Sequence, residues 1–133
     1  MKKLYNILLV DDSKTTMYYN RKIIGYFNDV KSIHEVYDGL EALNFLKKEN
    51  VPIDIILLDL NMPVMDGFEF LNEYKKLYSE SKIKIAILTT SNWNTDKKKI
   101  ALNKHLISGY IEKPLKKESL IELFSEETNK MIA

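Results

Sequence analysis

Groups able to do chemistry stand directly behind short apolar runs in this chain. Asp11-Asp12 follow Ile7 to Val10, Asp59 follows Ile53 to Leu58, Thr89-Thr90 follow Ile83 to Leu88, and Glu112-Lys113-Pro114 follow Ser108 to Ile111. Asp11, Asp12 and Asp59, brought together, would repel one another and raise each other's pKa. A hard divalent cation resolves that conflict. Mg²⁺ takes oxygen ligands, keeps several waters and uses one or two carboxylates directly. Lys113 adds a point charge suited to a phosphate oxygen, and Thr89 a hydroxyl donor. With an incoming phosphoryl group neutralised in this way, a carboxylate oxygen of Asp59 can act as nucleophile. The product is an aspartyl phosphate, and the site's work is positioning and charge stabilisation. Taken singly, each residue has a blander reading as a helix cap, a strand end or a solvated charge; their joint placement is what speaks for a site.

The elements that must position these groups follow from the apolar pattern. Ile7 to Val10, Ser32 to Val36, Ile53 to Leu58, Ile83 to Leu88 and Ser108 to Ile111 read as strands. Between and after them, Lys14 to Phe27, Leu40 to Lys48, Phe68 to Tyr78, Thr95 to Lys104 and Lys116 to Met131 read as amphipathic helices. Strand–helix alternation implies a parallel sheet covered on both faces, and continuous apolar strands fit that burial. In such a sheet the carboxyl ends of the strands share one edge, where ligands bind.

The 133 residues set the expectation of a single domain over 1–133 with no second, output domain. A hydrophobic fraction of 45% is enough for a packed core. Twenty Lys and Arg against nineteen Asp and Glu, a formal net charge of +1, argue against nucleic-acid binding. The absence of cysteine excludes disulfides and thiolate metal sites. The opening Met-Lys-Lys resembles the start of a signal peptide, but Asn6 interrupts the apolar run and Asp11-Asp12 end it without a cleavage site. No stretch approaches the ~18–20 apolar residues that span a bilayer. A cytoplasmic protein with no membrane association is the expectation.

From Ile7 through Lys130 the sequence resembles the response-regulator receiver family of two-component signalling, with its CheY-like fold. The most specific stretch is Asp59-Leu60-Asn61-Met62-Pro63-Val64-Met65-Asp66-Gly67, similar to the family's phosphoacceptor loop. Asp11-Asp12, Leu88-Thr89-Thr90 and Gly109-Tyr110-Ile111-Glu112-Lys113-Pro114 match in the same order. The resemblance implies a flavodoxin-like, doubly wound (βα)5 fold with strand order 2-1-3-4-5 and a cis Lys113-Pro114 bond. It implies that Asp59 is the phosphorylated residue, and that Mg²⁺ is bound by Asp12, Asp59 and the backbone carbonyl of Asn61, with Asp11 acting through water. Tyr110 would be the aromatic switch on the fifth strand, and the fourth helix, fifth strand and fifth helix the face that changes. Asn61 and Thr90 occupy positions that vary within the family and tune it. Thr90 is expected to shield the phosphoryl group.

The implied partners are a histidine kinase or histidine phosphotransfer protein and a downstream protein target of unknown identity. A phosphoryl shuttle or sink is an alternative output, and a phosphorylation-independent interaction module a more distant one. An aspartyl-phosphate phosphatase would need a carboxylate where Asn61 stands. A flavodoxin-like cofactor binder would need a phosphate cradle where Asp11-Asp12 stand. No external substrate is expected to be turned over. Trp93 and Lys97-Lys98-Lys99 offer a partner anchor or simply a solvated face. His34 and His105 read as packing or surface residues.

Overall fold

Ile7, Leu8, Leu9 and Val10 leave a strand with no polar face, so helices must cover it on both sides. The computed structural model describes residues 3–48, 50–90 and 97–132, and the side chains of residues 3–48, 50–90 and 98–125. Its strands are β1 (Tyr5–Val10), β2 (Val30–Val36), β3 (Ile55–Asp59), β4 (Lys84–Thr89) and β5 (Ile107–Glu112). Its helices are α1 (Lys14–Ile24), α2 (Gly39–Lys48), α3 (Gly67–Leu77), α4 (Lys97–Leu102) and α5 (Lys117–Ile132). The strands form one parallel sheet in the order β2-β1-β3-β4-β5. The inner strands β1, β3 and β4 are buried throughout, while the edge strands β2 and β5 are only half covered.

Alternate side chains of the same strands feed two cores. Leu8, Val10, Ile56, Leu58, Ile85 and Ile87 pack with Leu43 of α2, Phe70, Leu71 and Tyr74 of α3, and Ile100 of α4. Ile7, Leu9, Ile55, Leu57, Ala86 and Leu88 pack with Met17 and Ile24 of α1 and Leu120, Leu123 and Phe124 of α5. This is the doubly wound α/β architecture expected from the apolar pattern.

Element ends differ from the expectation for local reasons. α1 stops at Ile24, where Gly25 caps it, but Phe27 still turns inward and meets Phe124 edge-on at 5.5 Å. β3 begins at Ile55 and not Ile53, because Asp54 closes the strand's start with side-chain and backbone bonds to Asn6. β3 and β4 each run one residue further, so Asp59 and Thr89 are the last residues of their strands. α4 ends at Leu102 and a 3₁₀ turn, Lys104–Leu106, follows. Thr95 and Trp93 lie outside the described residues, as does the side chain of Met131.

Where β5 pairs with β4, Gly109 stands opposite Ala86. Two small residues side by side leave a gap of about 130 Å³ under α5, bordered by Ser119, Glu122 and Leu123. A Cβ on Gly109 would meet nothing within 4 Å, and its φ is not positive. Gly109→Ala is therefore expected to raise stability by about 0.5–1 kcal/mol, chiefly by restricting the unfolded chain. A rightward shift of the urea midpoint at unchanged slope would register it.

Candidate functional site

Asp11 follows β1 and is 1% exposed. Its Oδ1 accepts the Ser13 N–H at 2.9 Å, and Ser13 in turn caps α1 by accepting the Thr16 N–H at 3.2 Å. The Asp-Asp-Ser sequence thus makes a turn that points one carboxylate down and leaves Asp12 exposed. Asp59 ends the neighbouring strand at 6% exposure. Lys113 follows β5, where its N–H donates to the Thr89 carbonyl at 2.8 Å, and the Lys113-Pro114 bond is cis. From there its ammonium donates to Asp11 Oδ2 at 3.1 Å and Asp59 Oδ1 at 3.3 Å. One carboxylate oxygen from each of Asp11, Asp12 and Asp59 lies within 4.8 Å of the others. Residues up to 102 positions apart in the chain meet here.

Three carboxylates against one ammonium leave a formal excess of negative charge in a mostly buried cluster. Asp59 registers it. Burial, followed by the Asp11 charge, pushes its pKa above the usual carboxylate value, although Lys113 and the Asn61 N–H pull the other way. For Lys113, burial favours the neutral amine, but the charges and hydrogen bonds of Asp59 and Asp11 outweigh it and raise the pKa. A hard divalent cation fits this donor set. The oxygens are close enough to converge, and the charge excess is what such an ion would remove. Asp11, Asp12 and Asp59 are the side chains that could hold it.

The loop between β3 and α3 is tied at several points. The Gly67 N–H donates to the Leu60 carbonyl at 3.0 Å, and the Gly39 N–H to the Met65 carbonyl at 2.9 Å. Asp66 and Glu69 form a reciprocal capping box at the start of α3. Between these ties Val64 adopts φ 67°, with the Met65 N–H donating to the Pro63 carbonyl at 2.7 Å. Left-handed backbone costs a β-branched residue about 1–2 kcal/mol, which the surrounding ties offset. Asn61, in the same loop, is exposed.

Thr89 is buried, and its hydroxyl donates to the Thr90 carbonyl at 3.1 Å. Thr90 itself is exposed. Tyr110, paired in register with Ile87, is 48% exposed on β5. His34 contacts Ser32 Oγ at 3.0 Å and the Phe45 ring at 5.2 Å, and His105 is exposed; the carboxylate group of Asp11, Asp12 and Asp59 includes neither. Sequence reasoning missed Ser13, Gly39 and Gly67 as supports. Their signals were present: a serine just before a helical run, and Asp-Gly pairs at 38–39 and 66–67.

The family model for the response regulator receiver domain matches residues 7–125. The chemotaxis protein CheY of Halobacterium salinarum is 32% identical over 120 residues, covering 90% of this chain and 93% of that protein. Response regulator GtcR of Aneurinibacillus migulanus is 32% identical over 93 residues, 68% of this chain but only 35% of that longer protein. Among solved structures, a two-component response regulator from Cytophaga hutchinsonii superposes with a TM-score of 0.83 at 27% identity, covering 96% of this chain and 98% of that one.

Proposed function

Because this chain belongs to the response regulator receiver family, we propose that it takes a phosphoryl group onto Asp59 and signals through the face built by α4, β5 and α5. The observation that carries this reading is the bond of the Lys113 ammonium to both Asp11 and Asp59 inside a cluster of three carboxylates. In the proposed reaction an Asp59 oxygen attacks phosphorus, the phosphorus–nitrogen bond of a phosphohistidine breaks, and the departing imidazole takes up a proton. Mg²⁺, when bound, offsets the negative charge that an incoming phosphoryl group adds. Lys113 is already within reach of the Asp59 oxygens and can turn its ammonium to a phosphoryl oxygen. Thr89 can exchange its bond to the Thr90 carbonyl for another, and exposed Thr90 would screen the modified carboxylate. Leu102, Tyr110 and Ile121 are large apolar or aromatic side chains exposed on α4, β5 and α5. They support this face as the one that meets a protein partner, with Tyr110 as its switch.

Intact-mass measurement after incubation with acetyl phosphate and Mg²⁺ tests the reading. A single hydroxylamine-labile phosphoryl adduct that is absent with EDTA is expected. No adduct from acetyl phosphate or from a phosphorylated histidine kinase, with Mg²⁺ binding verified separately, would leave only the interaction-module alternative.

A further inference from the structure

The Lys113 ammonium sits at the end of a flexible four-carbon stem, so its place depends on how firmly the backbone beneath it is held. On the sheet side the Lys113 N–H donates to the Thr89 carbonyl at 2.8 Å. Pro114 has no N–H to give. Leu115 is 1% exposed, its side chain buried in the core shared by α1 and α5. On the helix side, a cleft of about 480 Å³ opens between α1 and the 113–115 segment. Packing alone therefore leaves Lys113 and Pro114 room to move toward α1.

A hydrogen bond spans this opening. The Tyr19 hydroxyl, carried by α1, donates to the Leu115 carbonyl at 3.0 Å and joins residues 96 positions apart. A leucine or phenylalanine at position 19 could cover the same surface but could not make this bond. Tyr19 is 40% exposed, so water can take over the Leu115 carbonyl when the hydroxyl is removed. The bond therefore matters less for stability than for where that carbonyl points, and with it the path of the chain two residues earlier.

We infer, on the reading of Asp59 as phosphoacceptor, that Tyr19 is a positioning residue: through the Leu115 carbonyl it holds the Lys113 backbone where the ammonium reaches both Asp11 and Asp59. The ammonium stands 3.1 Å from Asp11 Oδ2 and 3.3 Å from Asp59 Oδ1. Both distances are long for charge-assisted bonds, so a small backbone shift would break one of them. The carboxylates that could hold Mg²⁺ follow β1 or end β3, and the Tyr19 bond does not place them.

Tyr19→Phe removes the hydroxyl and keeps the ring, and Tyr18→Phe, on the 64% exposed neighbour, is the control. Phosphoryl acceptance from acetyl phosphate at saturating Mg²⁺, Mg²⁺ affinity by calorimetry and amide hydrogen exchange would be measured on the full chain. In Tyr19→Phe, acceptance should slow by about threefold to tenfold while Mg²⁺ affinity does not fall. Its Lys113 amide should exchange faster, with the amides of β3 at the parental rate. Tyr18→Phe should match the parent in all three. Parental acceptance by Tyr19→Phe would overturn the inference. So would a fall in Mg²⁺ affinity alongside the rate, which would mean general damage to the site. If the unaltered chain accepts no phosphoryl group, the reading of Asp59 fails instead, and exchange at Lys113 still decides whether Tyr19 holds the segment.

Discussion

Asp59→Asn is expected to abolish phosphoryl incorporation and, in the metal-free protein, to raise the melting temperature. The first effect follows from the proposed role. An amide oxygen lacks the negative charge that makes a carboxylate a nucleophile, so the adduct seen with acetyl phosphate should fall below detection. The second follows from electrostatics. The pKa of Asp59 is raised by burial and by Asp11, so its ionisation disfavours the folded state. The stability associated with a neutral Asp59 is fully present below the unfolded carboxylate value, about 3.9. It is lost as pH rises through the raised folded value. The variant escapes that loss. Its advantage should be smallest near pH 4, grow as pH rises and level off above the folded pKa. Added Mg²⁺ should stabilise the unaltered protein by preferential binding to the folded state and do little for the variant. Thermal melts across pH, with EDTA and with Mg²⁺, read all of this. A variant less stable than its parent at neutral pH without metal would show that the Lys113–Asp59 bond outweighs the crowding of carboxylates.

The opposing pulls on Asp59 also explain why the site was legible in the sequence while its internal wiring was not. Asp11, Asp59 and Lys113 could be placed together because each follows an apolar run, and parallel strands align their carboxyl ends. That logic needs only topology. It says nothing of which oxygen meets which nitrogen. The resemblance gives Asp11 a water-mediated role toward a metal but not its protein partners: it is almost wholly buried, holding the Ser13 N–H with one oxygen and Lys113 with the other. Such pairings depend on rotamers and loop paths that periodicity does not encode. Strand ends were misjudged by a residue or two for a related reason. Asp54 resembles a strand residue in pattern, but its carboxylate bonds the Asn6 N–H across the sheet's opening edge.

Gly67→Ala is expected to damage both fold and site, in contrast to Gly109→Ala. A Cβ at Gly67 would stand 2.6 Å from the Asp59 carbonyl oxygen and 2.9 Å from the Leu60 Cα. These are backbone atoms of the proposed acceptor, the last residue of β3, and of the residue after it, so no side chain can simply swing aside. Either α3 retreats from the end of β3 or the Asp59–Leu60 segment moves. Both responses strain the Gly67 N–H bond to the Leu60 carbonyl and loosen Phe68 and Leu71 against the core. Overpacking of this kind costs about 1–3 kcal/mol. Displacing Asp59 relative to Lys113 should also slow phosphoryl acceptance by about tenfold to a hundredfold, even under conditions where the variant remains folded. The two readouts separate the causes. A destabilised Gly67→Ala protein that accepts phosphoryl groups at the parental rate would mean that α3 yields and Asp59 stays in place. Loss of acceptance without loss of stability would mean the reverse. The same added methyl at Gly109 meets open space beside Ala86, so the pair of variants sets one chemical change against two environments and should give opposite signs.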